Sequence, residues 1–473
     1  MAVFASWSLL PAELRLSIVD HVDPSSLLAL SATSKSTRAL CVPRVFKSVN
    51  IACFPSLQEF LACVPPSYLT YIREMGVCTS DTPISSRRSL SNICIGTGTP
   101  RSDALIRLLS GTPQLERLVL HLSGGLAPKA VPCFSSLEHL TDLSVENCED
   151  EDDAPLSETT VVGIALAIPK LTSLSLTRIT RSLQYADDVR SSVIYSSASV
   201  PLVFNDLPSS STDPRTPQSL PTLLTIPTLR HLAIHDTHLG DMRFSSPDLP
   251  VRCALESLEI GAYAGAAPAD GATWTARILA RVAPTLQRLS CGAGLPAGPL
   301  AVRLPRLARV QLTPFVSPMQ IPPTLAALAD GGAQAVDIEC LQEDIEDVVD
   351  ELLAFVNDAT DAGRCPFDHV RLHVKDDLGS DALAAPPEKP AALDEECSRC
   401  VQRLEGACDR AGVRVSLLGV QLAPVSAGEE GMDWESDDTA VEAYADDKVV
   451  LKRTFGIDAE TLEEDAWARL EDW

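Results

Sequence analysis

Thr112 to Leu122 reads TPQLERLVLHL. Leu115, Leu118 and Leu120 stand in an LxxLxL frame. In an extended chain the last two fall on one side, and Arg117, Val119 and His121 fall on the other. The frame returns along the chain. LEHLTDLSVENC (Leu137–Cys148), IPKLTSLSL (Ile168–Leu176) and IPTLRHLAIHDTHL (Ile226–Leu239) carry it. So do ALESLEIG (Ala254–Gly261), APTLQRLSCG (Ala283–Gly292) and LPRLARVQLTPF (Leu304–Phe315). Weaker copies sit at Val336/Ile338, Val370/Leu372 and Val415/Leu417, and Val49/Ile51 and Ile93/Ile95 read as degenerate first copies. Between the middle apolar positions of successive copies, most steps span 21 to 34 residues. One such unit cannot bury its own apolar side. Stacking units makes a continuous core.

This period matches or slightly exceeds the roughly 20–29 residues of a leucine-rich repeat. The expected fold is α/β. A short N-terminal three-helix unit (1–49) precedes a leucine-rich-repeat solenoid (50–425) with a parallel sheet on its concave face, and an acidic tail follows (426–473). Alternation along each strand assigns the concave lining. Early in the series it predicts Arg117, His121, Asp142 and Glu146, then His231, His235 and Glu259. Ser173, Ser175 and Thr177 make a small polar step between them. Later it predicts Arg288, Arg309 and Gln311, then Asp337 and Glu339, and last His369, Arg371 and His373. The lining reads as mixed at first, acidic around Asp337 and Glu339, and basic around Arg288, Arg309 and His369–His373. A protein of complementary charge is the natural occupant.

The long step from 174 to 232 holds a Ser/Pro/Thr-dense stretch, read as a disordered insert over 183–227 or one decayed repeat. Leu341, Ile345, Val348, Leu352 and Val356 form a helical stripe, as do Cys397, Val401, Leu404 and Cys408. Leu462, Ala466, Leu470 and Trp473 suggest a last amphipathic helix over 458–473.

The chain has 473 residues, 45% of them hydrophobic, and a formal charge of −26. Mean hydropathy is +0.10 and the pI is near 4.6. That is a folding composition whose surface repels phosphate backbones and anionic lipid, so neither nucleic acid nor membrane is an expected partner. The charge is uneven. Residues 426–473 carry sixteen Asp/Glu and four Lys/Arg, whereas the first fifty carry three acids and five bases. No apolar run approaches the roughly 20 residues that span a bilayer. MAVFASWSLLPAEL lacks the basic region and apolar run of a signal peptide. The 14 cysteines are scattered in apolar contexts and read as reduced thiols of an intracellular protein, cytoplasmic or nuclear.

The stretch LPAELRLSIVDHVDPSSLLALSATSKSTRALCVPRVFKSV (Leu10–Val49) obeys a different grammar. Pro11 suits a helix start. Leu14, Ile18 and Val22 recur every four residues. Asp23-Pro24 stops that helix and caps the next, and a third short helix runs from Ser34 to Leu40, ending before Pro43. Three such helices bury little area, so the unit needs a partner to complete its core. This stretch resembles the F-box motif. The resemblance rests on Leu10-Pro11, Glu13-Leu14, Ile18, Val22-Asp23-Pro24, Leu27-Leu28, Leu30-Ser31, Ser34-Lys35, Arg38, Leu40, Pro43 and Phe46. Ser36-Thr37 stands where the family often has Arg-Trp, and Thr33 where Val is common. Together with the repeats, the chain resembles the F-box/leucine-rich-repeat proteins.

That resemblance implies the substrate-recognition subunit of an SCF-type cullin-RING ubiquitin ligase. Its F-box would dock on a Skp-family adaptor, and through it a cullin, while its repeats hold a protein substrate. The implied adaptor contacts are Leu10, Pro11, Leu14, Ile18, Leu27, Leu28 and Leu30. The alternative is a repeat scaffold with no ubiquitin role.

No catalytic residue, cofactor or metal is expected. His231 and His235 share a strand face but lie roughly 13 Å apart at about 3.3 Å per residue, too far for one ion with Asp236 and His238. Cys397 and Cys400 lack the second close pair of a structural zinc site. No phosphate-binding glycine loop or nucleophile elbow appears.

Overall fold

Twelve strands form one sheet, hydrogen-bonded in chain order with every neighbouring pair parallel. They are β1 (Ser48–Ile51), β2 (Glu74–Cys78), β3 (Arg117–Leu122), β4 (Asp142–Asn147), β5 (Ser173–Thr177) and β6 (His231–His235). The series continues with β7 (Ser257–Ile260), β8 (Arg288–Cys291), β9 (Arg309–Leu312), β10 (Ala335–Leu341), β11 (His369–Lys375) and β12 (Arg414–Leu418). The computed structural model describes residues 10–81, 99–149, 154–186, 218–263, 268–296, 302–329, 332–361, 367–375 and 395–418, with a few short pieces between. The tail expected over 426–473, with its helix over 458–473, lies outside the described residues.

The sheet is in step because its apolar frame is. Leu118 faces Leu143, Leu143 faces Leu174, and Leu174 faces Leu232. Leu258, Leu289, Val310, Val336 and Val370 continue that column. All of these are buried. Slipping one strand by a single residue would turn its whole apolar set to the other face, so each neighbour fixes the next. The ladder also reaches back one residue. Glu116, Thr141, Thr172, Arg230, Glu256 and Gln287 each donate their N–H to the carbonyl of the residue just ahead of the preceding strand.

One strand departs from the reading of the sequence. The copy at Ile93/Ile95 lies outside the described residues, and the strand next to β1 is β2. Its frame is Ile72, Met75 and Val77, all buried. Without leucine, and with Gly76 between the apolar pair, it does not look like a copy.

The connections are helical in part. Helices Thr99–Ser110, Glu158–Ala167, Pro268–Val282, Ile321–Leu328, Ile345–Asp361 and Glu395–Ala411 follow strands. The two predicted stripes are inside. Ile345, Val348, Leu352 and Val356 are buried on one helix, and so are Cys397, Val401, Leu404 and Cys408 on another. Leu341, read as the start of the first stripe, is instead the half-buried last residue of β10. No helix among the described residues is long and apolar enough to cross a membrane.

The 183–227 segment is not uniform. Leu183–Tyr185 and Leu220–Thr225 are 3-10 turns, and Leu220, Leu223 and Leu224 are buried in the main core. The ends of the expected insert therefore belong to the packed body, because their leucines have apolar surface to cover. Residues 187–200 and 204–217 lie outside the described residues. One carboxylate ties the two ends. The Ser182 N–H donates to Glu158 Oε1 (2.9 Å) and the Leu220 N–H to Oε2 (3.1 Å). The Gln218 N–H adds a second tie to Tyr185 Oη (3.0 Å). Arg181, 1% exposed, lies beside Glu158 and donates to the Tyr185 carbonyl (2.5 Å).

Three helices precede the sheet: α1 (Ala12–His21), α2 (Pro24–Ser31) and α3 (Lys35–Val45). Asp23 caps α2, its carboxylate accepting from the Ser26 N–H (2.9 Å), with Pro24 in the first turn. The Ser25 hydroxyl and then the Ser26 N–H hold that carboxyl well below the usual range. Ser34 caps α3, accepting from the Thr37 N–H (3.1 Å) and meeting the buried Thr37 hydroxyl (2.8 Å). The third helix continues through Pro43 rather than ending before it. A proline this near the C-terminus removes one hydrogen bond, and the Phe46 N–H closes the last turn on the Val42 carbonyl (3.0 Å). Ser34→Ala is expected to lower the stability of this unit by about 1–2 kcal/mol. Chemical denaturation of the two proteins side by side checks it.

Candidate functional site

The N-terminal helices have a small core of their own. Val19, Leu27 and Cys41 are buried there, with Trp7, Val22, Leu30, Leu40 and Val45 packed around them. This cluster is separate from the core under the sheet. Its shortage of interior residues leaves apolar side chains outside: Leu14 is 52% exposed, Leu16 46%, Ile18 40% and Leu28 51%. Leu14 and Ile18 are one turn apart on the same face of α1. Four exposed large apolar residues within fifteen positions are a docking surface rather than scattered exposure.

Of the seven expected adaptor contacts, Pro11, Leu14, Ile18 and Leu28 are exposed, and Leu10 and Leu30 are half-buried. Leu27 is the correction. At 3% exposure it belongs to the interior, because α2 turns it toward Val19 and Cys41. The sequence reading missed Leu16, which stands two residues after Leu14 and so falls outside a stripe that recurs every four.

The second candidate surface is the open face of the sheet. The burial pattern of β3, exposed or half-buried at Arg117, Val119 and His121 and buried between, recurs in β4, β6 and β11. Every lining residue predicted from alternation lies on a strand of this sheet. Their charges are arranged differently from the expectation. Parallel register sets each outward residue beside its counterpart one unit on, and some of those pairs are opposite in charge. Arg117 faces Asp142 (3.9 Å) and His121 Nδ1 lies 3.0 Å from Glu146 Oε2 in direct register, while His235 Nε2 reaches Glu259 diagonally (3.6 Å), the register partner of Glu259 being Ala233.

The later strands carry the densest network. Arg309 on β9 and Arg371 on β11 both reach Asp337 on β10 between them, the latter at 3.5 Å. His373 Nε2 lies 3.9 Å from the same carboxylate. Gln311 and Lys375 donate to Glu339 (2.9 and 2.6 Å). The Asp337 side chain is 2% exposed. It is not part of a free acidic patch: it neutralises the basic residues on either side. Burial, then Arg371 and Arg414, push the His369 imidazole below its ordinary pKa. Its Nε2 meets Ser416 Oγ (2.8 Å). Among the described residues Arg288, exposed on β8, has no ion-pair partner.

The histidines of HLAIHDTH do not converge. His231 and His235 point from β6 to the open face, while His238 is buried with its ring 4.4 Å from Trp274 and 3.4 Å from Arg181 Nη1. Burial and then Arg181 push its pKa down to about 3, so it is neutral. Cys397 is buried and Cys400 half-buried on one helix. A different set does converge across β3 and β4. Donor atoms of His121, Glu146 and Cys148 all lie within 4.8 Å of one another. Reading one strand at a time does not find it, because its members come from neighbouring strands.

No curated protein matches the chain. Residues 7–48 match the F-box domain, a span that runs from Trp7, packed on the small helical core, to Ser48 at the start of β1. F-box domains bind Skp-family adaptors, and the exposed apolar side chains of α1 and α2 fall inside this span. Residues 7–48 thus form an F-box domain, which indicates docking on such an adaptor.

Proposed function

We propose that the chain is the substrate-recognition subunit of an SCF-type cullin-RING ubiquitin ligase. The observation that carries this is the exposed apolar face of α1 and α2 within the F-box match. Docking there covers side chains the unit cannot cover itself. The sheet is read as a leucine-rich-repeat solenoid. Support comes from the recurrent LxxLxL frame and the unbroken parallel register. Its open face holds a protein substrate, with Arg288 and the Arg309–Asp337–Arg371 network as polar contacts. The chain catalyses no step itself. It raises the effective concentration of substrate lysines near the ubiquitin-loaded enzyme, in the cytoplasm or nucleus.

The test is substrate turnover. A protein that accumulates in cells lacking the chain is expected to be cleared again by wild type. It is not cleared by a chain without residues 1–48, nor by an Arg288→Glu variant, which alters an exposed position and keeps stability within about 0.5 kcal/mol. Normal clearance without residues 1–48 would instead support a repeat scaffold with no ubiquitin role.

A further inference from the structure

We infer that His121, Glu146 and Cys148 form a binding site for a divalent transition-metal cation of the zinc type. The inference stands apart from the substrate reading, because it rests only on what β3 and β4 bring together. Parallel register sets His121 directly beside Glu146. Cys148 follows two residues on, where the Cys148 N–H is held by the Leu122 carbonyl (2.7 Å). The buried Asn147 fixes that corner. It accepts from the N–H groups of Gly124 (3.4 Å) and Glu149 (3.3 Å) and donates to the Ala154 carbonyl (3.0 Å). The three donors thus sit on rigid backbone rather than on a free loop, as a preformed site requires.

The donor types select the metal. One imidazole, one carboxylate and one thiol suit zinc or cobalt, whereas magnesium and calcium take oxygen alone. Bonds of about 2.0–2.3 Å put tetrahedral ligands roughly 3.3–3.6 Å apart. His121 Nδ1 and Glu146 Oε2 are at 3.0 Å, and the whole set lies within 4.8 Å. Rotamer adjustments of about 1 Å close the shell. The fourth position is left to water or to a partner's side chain.

Access and charge agree with this. The side chains of His121 and Glu146 are 27% and 40% exposed, which gives an ion a way in, while Cys148 is buried and shielded. The residues that follow, Glu149-Asp150-Glu151-Asp152-Asp153, are all acidic, and such a run raises the local concentration of cations. Binding deprotonates the Cys148 thiol and releases its proton to solvent.

The test uses the full-length chain, stripped with a chelator and kept reduced, titrated with Co²⁺. Wild type is expected to take up one equivalent, with a thiolate-to-cobalt charge-transfer band and the ligand-field bands of tetrahedral cobalt, and to lose both when Zn²⁺ is added. Cys148→Ser should abolish the charge-transfer band, and Cys63→Ser, at an exposed cysteine elsewhere, should leave it intact. His121→Gln and Glu146→Gln change half-exposed side chains and keep the fold. Each should weaken Co²⁺ binding more than tenfold, and circular dichroism checks folding of all four variants. Absence of the band in folded wild type overturns the site, as does a band that survives Cys148→Ser or binding unchanged in both glutamine variants.

Discussion

A chain carrying Leu14→Asp and Ile18→Asp is expected to lose capture of a Skp-family adaptor while melting as the parent does. Both side chains are largely exposed, at 52% and 40%, and neither belongs to the small core of the helical unit. Their replacement therefore costs little in the free chain. In the complex the account differs. Covering a leucine and an isoleucine contributes about 1.5–3 kcal/mol each, and a buried unpaired carboxylate adds a penalty on top. A combined loss of about 4 kcal/mol or more corresponds to at least about a thousandfold in affinity. Co-expression and pull-down read the loss. Thermal melting of the same preparations shows whether the fold survives. Leu27→Ala is the contrasting control. That side chain is interior, so its truncation should cost roughly 2–5 kcal/mol of stability and weaken capture only through unfolding. Undiminished capture by the double aspartate variant would exclude this face as the docking surface.

Glu158→Ala should destabilise the main body by roughly 3–5 kcal/mol. It removes the acceptor for two backbone N–H groups, at Ser182 and Leu220, and leaves the buried Arg181 without its neighbouring acid. The pH dependence gives a second readout. Burial raises the Glu158 carboxyl from its ordinary 4.5 to about 7, with the Arg181 charge and the two N–H donors pulling partway back. The folded state then holds a proton that the unfolded chain has lost. This contribution is complete below about pH 4.5 and is lost as pH rises through 7, a fall on the order of 3 kcal/mol. Glu158→Gln cannot titrate and should flatten that part of the profile. Denaturant midpoints at several pH values between 4 and 8 decide it. A slope unchanged in the glutamine variant would assign it to another group.

Much of this fold is legible in the sequence, for a local reason. A strand with one buried side shows a period of two, and the leading leucine of each unit marks where the next strand begins. Leu118, Leu174 and Leu289 announce their strands on that basis alone. Met75 and Val77 do not, because nothing in their types separates them from an ordinary apolar pair, and the sheet only accepts them through Val49 and Ile51 on one side and Leu118 and Leu120 on the other. The candidate surfaces divide the same way. The side of the strand on which Arg309, Asp337 and Arg371 fall is a matter of alternation. Their mutual neutralisation depends on register between strands, which the linear order of charges does not carry. Leu27 and Leu28 are adjacent leucines with opposite fates. Only the way α2 packs, with Leu27 in one cluster with Val19 and Cys41, tells them apart. The Glu158 tie joins positions 24 and 62 residues away, beyond any local pattern.

The cross-strand pairing of charges has a consequence for how such a surface can change over time. Inward residues of each unit answer to the core, and outward ones are nominally free to drift toward a new partner. That freedom is shared between units. Asp337 is balanced by Arg309 one unit before and Arg371 one unit after, so a charge reversal at any of the three appears as a fault in the adjoining unit. Innovation on this face therefore proceeds in linked steps, with a change in one unit answered by a compensating change roughly one period away. Arg288, outside that chain of obligations among the described residues, is where a new specificity begins most cheaply.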